Sequence, residues 1–240
     1  EIWSAFYPGM VEQATERALW GARITNDDWG THPTMAYAAM ISAAFFEDDV
    51  EELVKHAVDA VPNAGPFAEG IREVIRWHDQ HDDWRVTRQL IHDKYWAYKS
   101  TELEAPVSIV SSLNNGLTGI MALLYGEGDY TKTVGIATSA GYDSDNQAAT
   151  LGGLIGTMRG MTRLNTDVVT RMRTLDASWE WDKPFNDTYV NISRDEIALR
   201  TPITEIAARI VAIAEQAIRD NGGRMIHNNG EVYYVINSDI

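Results

Sequence analysis

The sequence predicts an all-α protein, a single compact multi-helix domain that ends in a small C-terminal β-hairpin. Apolar residues recur every three to four positions through most of the 240 residues, which is the period of helices with one buried face. The exception is a terminal stretch in which two short apolar runs flank Asn228-Asn229-Gly230, a sequence typical of a hairpin turn. We therefore treat residues 1–240 as one domain.

The spacing of the apolar residues predicts eight helices along the chain. Helices are predicted at 11–22, 35–46, 53–58, 67–78, 84–98, 117–124, 145–161 and 202–219. Acidic residues 47–49 precede the third helix, where they complement its dipole, and Pro62 ends it. Residues 176–194, rich in Trp, Asn and Asp, predict an irregular loop packed on the body through Trp179, Trp181 and Phe185. The hairpin strands are predicted at 225–227 and 231–235.

Composition restricts the class of protein. A hydrophobic fraction of 45% is ample for a packed core. The formal charge of -15 repels phosphate backbones, so nucleic acid is not an expected partner. With no cysteine there is no disulfide and no thiolate, which is compatible with a reducing cytoplasm. The longest apolar run falls short of the roughly 20 residues that span a bilayer. We expect a cytoplasmic protein without a membrane partner.

An acidic loop at residues 141–146 is the best candidate site. It concentrates two carboxylates, a hydroxyl and an amide, at Asp143, Ser144, Asp145 and Asn146. These hard oxygen donors suit Mg²⁺, Mn²⁺ or Ca²⁺ rather than zinc. Residues two apart on a helix point to nearly opposite sides, so Asp143 and Asp145 share an ion only if Gly141 marks a loop entering a helix. The simpler alternative is that the acidic residues cap that helix.

Small residues follow this loop at i, i+4 spacing: Ala148, Gly152, Gly156 and Gly160. Each glycine inside a helix costs up to about 1 kcal/mol relative to alanine, so three on one stripe need an offsetting gain. Close approach of a neighbouring backbone is such a gain. We therefore predict that this helix is the buried centre of the domain, with the acidic loop rigidly mounted at its end.

The segment 141–156 resembles the glycine, acid, hydroxyl, acid signature of the ADP-ribosylglycohydrolases, in which this loop precedes a small-residue helix. Residues 115–129 are similar to the preceding family helix and its turn. Residues 26–45 resemble a family block that usually begins His-Asp. The resemblance covers roughly residues 1–219 and implies that the chain is the C-terminal part of one such all-α domain. It also implies a metal-dependent glycoside hydrolase that cleaves a ribosyl bond.

In that family, the two loop carboxylates and the Thr after the second contact a binuclear magnesium centre beside ADP-ribose. The resemblance therefore implies that Asp143 and Asp145 are catalytic ligands and that Asn146 is a further ligand of Mg²⁺, one ion or two, with Mn²⁺ as an alternative. It implies substrate contacts for Asn26, Asp27, Asn115, Gly141, Tyr142 and Ser144.

Two departures from the family pattern keep the substrate open. Asn146 stands in the place of the Thr, and Asn26 stands in the place of the His of His-Asp. One interpretation is a hydrolase of an ADP-ribosyl substrate, either a small molecule or linked to a protein. The second is a hydrolase of another ribosyl compound, such as a nucleoside or a nucleotide-derived metabolite. The third is a non-catalytic member that binds a ribosyl ligand or a partner protein.

A second ligand set is expected from elsewhere. Family members carry further acidic ligands in a segment before the region matched here, and the chain shows no second copy of that set, because residues 25–28 align with the His-Asp block. We expect either a separate N-terminal polypeptide of the same precursor to complete the active site or the chain to be an incomplete product.

Three weaker patterns each allow two interpretations. His78 and His81 are either zinc ligands or part of a solvated helix end. Asn114 and Asn115, before Gly116, are either a helix cap or a polar site contact. An aromatic group is either core packing or a stacking surface for a purine: Trp77, Trp84, Tyr95, Trp96 and Tyr98.

Overall fold

Helices account for most of the chain in the computed structural model, which describes residues 1–98, 108–180, 182, 185–191 and 198–240. Within these ranges the helices are α1 (Ile2–Phe6), α2 (Val11–Ala22), α3 (His32–Ala43), α4 (Val50–Ala60), α5 (Pro66–Gln80), α6 (Trp84–Tyr95), α7 (Ser112–Gly126), α8 (Tyr130–Ser139), α9 (Ser144–Leu175) and α10 (Ile203–Asp220). A 3-10 turn, Asp28–Thr31, precedes α3. The strands are β1 (Tyr189–Val190), β2 (Arg200–Thr201), β3 (Arg224–Asn228) and β4 (Glu231–Val235). The all-α prediction is confirmed.

Local capping signals explain the helix and hairpin boundaries that the sequence predicted correctly. The Asp49 carboxylate accepts hydrogen bonds from the backbone N–H groups of Glu51 and Glu52, which fixes the start of α4. Strands β3 and β4 pair antiparallel, and Asn229 and Gly230 between them both have positive φ, as a type I′ turn requires. The predicted hairpin is therefore confirmed.

The centre of the domain is α7, in which every residue from Leu113 to Gly126 is buried. It packs against α4, α5, α6, α8 and α9. A helix that is apolar all round is stable only where neighbours cover every side, and this arrangement supplies them. The first residues of α7 reach the candidate site, so the buried central helix supports it.

Helix α9 is not the buried centre that its glycines predicted. Its buried residues form one face only, Gln147, Leu151, Leu154 and Ile155 near its start. A Cβ added at Gly152 would lie 3.5 Å from the Tyr130 ring, an ordinary van der Waals contact, and one added at Gly153 or Gly160 would meet nothing within 4 Å. Gly160 has φ +68°, and the helix is kinked there. Hence the glycine stripe does not mark close backbone contact.

Helices α1 and α8 and strands β1 and β2 were missing from the prediction. Strand β1 lies in the segment expected to be irregular and pairs with β2. The Phe185 ring packs edge-on against Tyr130 at 5.7 Å, which agrees with the expected packing of that segment on the body. Trp181 lies outside the described residues. Among the described residues, none of the helices combines the length and the apolar character needed to cross a bilayer.

Candidate active site

A cavity of about 300 Å³ lies where α3, α7 and the start of α9 meet. Its wall is mostly polar and uncharged, apart from two carboxylates, and consists of Glu1, Asn26, Pro33, Thr34, Tyr37, Val110, Ser112, Asn115, Gly116, Asp143, Asn146, Gln147 and Thr150. Amide and hydroxyl groups of this kind form hydrogen bonds with neutral hydroxyl-bearing ligands. The lining therefore suits a sugar.

The acidic loop has the backbone that the sequence required for the two carboxylates to converge. Gly141 and Tyr142 have φ +84° and +60°, and α9 begins at Ser144, so the chain makes a left-handed turn directly before the helix. Asp143 occupies the N-cap position, yet its carboxylate accepts no capping hydrogen bond. The cap alternative therefore lacks its defining contact, and the carboxylate of Asp143 is left for another partner.

Asp143 and Asp145 lie close enough for their carboxyl groups to interact. Burial raises the pKa of Asp143, and the hydrogen bond and negative charge of Asp145 raise it further. Two carboxylates beside each other destabilise their ionised forms unless a cation lies between them. Among the described residues, no group of three or more His, Cys, Asp or Glu side chains is arranged to hold a metal. The site as described therefore offers a pair of carboxylates.

Asn115 ties this loop to the central helix. Its Oδ1 accepts a hydrogen bond of 2.9 Å from the backbone N–H of Asp143, and its Nδ2 donates to the carbonyl oxygens of Ile109 and Ser111. Both ends of the amide are thus engaged within the protein, although Asn115 lines the cavity. Asn115 does not cap α7, because Ser111 occupies the N-cap position, and its role as a polar site contact stays a prediction.

Tyr37 and Gln147 form a second polar contact in the cavity wall that sequence reasoning missed. The Tyr37 hydroxyl donates to the carbonyl oxygen of Gly116 at 2.9 Å and lies 3.3 Å from Gln147 Oε1. Burial raises the pKa of Tyr37, so its hydroxyl stays protonated. Gln147 lies four residues after Asp143, hence on the same side of α9, and this spacing was the available signal.

A family model described as ADP-ribosylglycohydrolase matches residues 3–215, most of the chain. The chain belongs to the ADP-ribosylglycohydrolase family. No curated protein and no solved structure matches it. Membership identifies the chain as a glycohydrolase in general terms. The hairpin of β3 and β4 lies beyond the matched residues.

In this ADP-ribosylglycohydrolase chain, four of the predicted site residues lie together. Asn26, Asn115, Asp143 and Asn146 all line the cavity. Asp145 lies outside the lining but interacts with Asp143. Four residues that the sequence singled out therefore share one cavity, and their roles stay predictions.

The other predicted substrate contacts lie outside the cavity wall. The Asp27 carboxylate accepts from the backbone N–H of Asp28 and caps the 3-10 turn. Gly141, Tyr142 and Ser144 are absent from the cavity wall, and the Tyr142 ring stacks on Trp96 of the turn after α6. A substrate contact by these four residues stays a prediction.

The rings of the aromatic group and of His78 pack against other side chains of the chain. Trp77 and Tyr95 are buried in the core, and Trp96 stacks on the Tyr142 ring. None of the five aromatic residues lines the cavity. The His78 ring packs edge-on against Tyr125 at 4.7 Å, and among the described residues no third ligand joins His78 and His81.

A separate N-terminal polypeptide that completes the active site stays a prediction.

Proposed function

We propose that this ADP-ribosylglycohydrolase cleaves a ribosyl bond in an ADP-ribosyl or related N- or O-ribosyl substrate, with Mg²⁺ bound at the acidic loop. The observation that carries the proposal is the pair of interacting carboxylates, Asp143 and Asp145, at the edge of an amide-lined cavity. A divalent cation bound by both carboxylates would offset their mutual repulsion, and the polar cavity lies beside Asp143.

The donor set fits a hard divalent cation. Asp143 and Asp145 supply carboxylate oxygens, and Asn146 supplies an amide oxygen on the cavity side. The raised pKa of Asp143, caused by burial and by Asp145, describes repulsion that a bound cation would relieve. Mg²⁺ and Mn²⁺ both accept such ligands. When bound, the ion would orient ribose hydroxyls and lower the pKa of a water molecule.

The chain's own residues would bind and orient the sugar. Asn26 and Gln147 present amide groups to the cavity, and Thr34 presents a hydroxyl. In glycoside hydrolysis, carboxylates activate the attacking water and stabilise positive charge at the sugar in an oxocarbenium-like transition state. Asp143 and Asp145 would take that role, and no lysine or arginine lines the cavity to neutralise Asp143.

The size of the cavity limits what part of the substrate it holds. About 300 Å³ is at the lower end of the range for small-molecule sites, enough for a ribosyl group and its nearest substituent. The remainder of an ADP-ribosyl substrate would therefore extend over the surface outside the cavity. Contacts with the ribose would be the same for every ribosyl substrate. Contacts outside the cavity would therefore determine which ribosyl substrate the enzyme prefers.

A second candidate keeps the reaction and changes the substrate to another ribosyl compound. The observation that favours it is the position of Asn26 in the cavity wall, because the resemblance places a histidine there. A neutral amide and an imidazole differ in the partners they accept. Side-by-side assays with ADP-ribosylated protein, ADP-ribose derivatives and nucleosides would distinguish these, since turnover confined to nucleosides rejects the ADP-ribosyl assignment.

The metal and the reaction are tested together with Asp143→Ala, Asp145→Ala and the control Asp49→Ala. Asp49 is also acidic, but it caps α4 and is absent from the cavity wall. We expect the first two variants to lose Mg²⁺ binding in calorimetry and at least 100-fold in hydrolysis, and the control to retain both. Full activity of Asp143→Ala would reject the assignment. A wild-type chain that binds a ribosyl ligand without hydrolysing any would favour the non-catalytic alternative.

A further inference from the structure

Helix α6 contacts the acidic loop through one face, which we name the α6 clamp: Arg88, His92 and Trp96. These residues are spaced four apart, so they lie above one another along the helix and its final turn. Arg88 Nε donates a hydrogen bond of 3.0 Å to the carbonyl oxygen of Ala140. The Arg88 guanidinium also lies 4.6 Å from the centroid of the Tyr142 ring. One arginine therefore contacts the loop on both sides of Gly141.

The other two members of the clamp enclose the Tyr142 side chain. His92 Nδ1 and the Tyr142 hydroxyl share a hydrogen bond of 2.6 Å. The Trp96 ring is stacked on the Tyr142 ring with centroids 5.4 Å apart and planes 28° apart. Tyr142 is thus held at its ring and at its hydroxyl.

The backbone of Tyr142 explains why such a hold is needed. Its φ of +60° lies in the left-handed region, which is unfavourable for a bulky side chain. The next residue, Asp143, donates its backbone N–H to Asn115, and its carboxylate lies at the cavity beside Asp145. A loop that relaxed to negative φ at Tyr142 would turn the following residues away from this arrangement.

We infer that the α6 clamp positions the acidic loop for cation binding, by holding Tyr142 in its left-handed conformation so that the Asp143 carboxylate stays at the cavity and in contact with Asp145. The clamp residues are absent from the cavity wall, so they are positioning residues rather than ligands. The inference rests on the proposed magnesium role of the loop. Loop order can nevertheless be measured without metal, which separates the two claims.

Mg²⁺ titration by calorimetry on the full chain tests the clamp. Arg88→Met removes both contacts of Arg88 and should raise the Kd for Mg²⁺ about tenfold or more, the usual effect of losing a group that orients a ligand. Arg88→Lys keeps a positive charge near the Tyr142 ring but loses the planar guanidinium donor. Its Kd for Mg²⁺ should therefore lie between those of the wild type and Arg88→Met. The matched control is Arg85→Met, because Arg85 lies on α6 but pairs with Asp83 away from the loop.

Hydrogen exchange in metal-free protein supplies the second measurement. The Asp143 amide hydrogen is bonded to Asn115, so it should exchange about tenfold faster in Arg88→Met than in the wild type. The amides of α4, which is remote from the clamp, should keep their protection. Faster exchange throughout the chain would instead indicate a general loss of stability and would overturn the positioning role.

The outcomes separate the two claims. If Arg88→Met binds Mg²⁺ as tightly as the wild type and its Asp143 amide is equally protected, the positioning role of the clamp is rejected, and the proposed magnesium site is unaffected. If the wild type binds no Mg²⁺, the proposed metal role is wrong, and the exchange of the Asp143 amide alone decides whether the clamp orders the loop.

Discussion

Helices α7 and α9 both contain several glycines, yet these residues have opposite meanings in the two helices. In α7, a Cβ added at Gly119 would lie 2.0 Å from the Tyr37 hydroxyl, and one added at Gly126 would lie 2.8 Å from the Cα of Thr133. In α9, the corresponding positions Gly153 and Gly160 have nothing within 4 Å. Close packing is therefore found in the helix whose glycines follow no regular spacing.

The difference teaches that regular glycine spacing alone does not identify a buried helix. The residues between the glycines of α7 are apolar on all sides, as in Ile120, Met121 and Leu123. Those between the glycines of α9 include Thr157 and Arg159, which belong at a solvated surface. Neighbouring helices approach closely where apolar side chains cover the whole circumference, and this was the more reliable signal.

The largest effect is expected at Gly126, because its neighbour is backbone. Gly126→Ala would push against the Cα of Thr133 in α8, which cannot rotate away, so we expect a loss of about 3 kcal/mol in the free energy of unfolding. Urea denaturation measures it. Gly135→Ala is the control on α8, where an added Cβ meets nothing within 4 Å. A loss below about 1 kcal/mol for Gly126→Ala would show that the two helices separate easily, against the close packing of α7.

Gly119→Ala should have a smaller effect on stability and a specific effect on the site. The added Cβ would displace the Tyr37 hydroxyl and Gln147 Oε1, 2.0 and 2.4 Å away, which are ends of side chains. We expect a loss of about 1–3 kcal/mol in urea denaturation. We also expect weaker substrate binding, because both displaced groups belong to the cavity wall. Unchanged substrate affinity would mean that the Tyr37 and Gln147 contact does not shape the cavity.

The sequence predicted what local patterns determine. The acidic cap at Asp49, the Asn-Gly turn and the loop before α9 depend on residues within a few positions of each other. Helix α8 was missed although Asp129 caps it, accepting from the backbone N–H of Lys132, because its interior is rich in Thr and Gly and its apolar period is weak. Helix α1, with five residues, is too short to show a period.

Contacts between distant residues explain what the sequence could not predict about the site. The Tyr142 hydroxyl bonds to His92, fifty residues earlier in the chain, and no local pattern indicates this contact. Tyr37 and Gln147 are separated by 110 residues, and only the packing of α3 against α7 and α9 brings them together. The residue types of the loop indicated its chemistry, whereas tertiary structure decides which of its side chains face the cavity.

Gly160→Ala tests whether the kink of α9 depends on glycine. Gly160 has φ +68° and ψ 156°, a conformation essentially restricted to glycine, while space around it is open. Strain alone should therefore cost about 1–2 kcal/mol in urea denaturation. A variant of equal stability with increased helical circular dichroism would show that α9 straightens without penalty, and the kink would then have no structural role.

The smallest effect is expected at Gly153 and has the opposite sign. Gly153 is helical and exposed, and an added Cβ would meet nothing within 4 Å. Alanine there restricts the unfolded chain and adds no clash, so Gly153→Ala should raise the free energy of unfolding by about 0.5–1 kcal/mol. Comparison with Gly119→Ala under the same urea conditions makes the contrast direct, since the same substitution in a helix interior is expected to stabilise in α9 and destabilise in α7. Destabilisation by Gly153→Ala would reveal a covering partner on this face of α9, and the glycine stripe would then mark close packing after all.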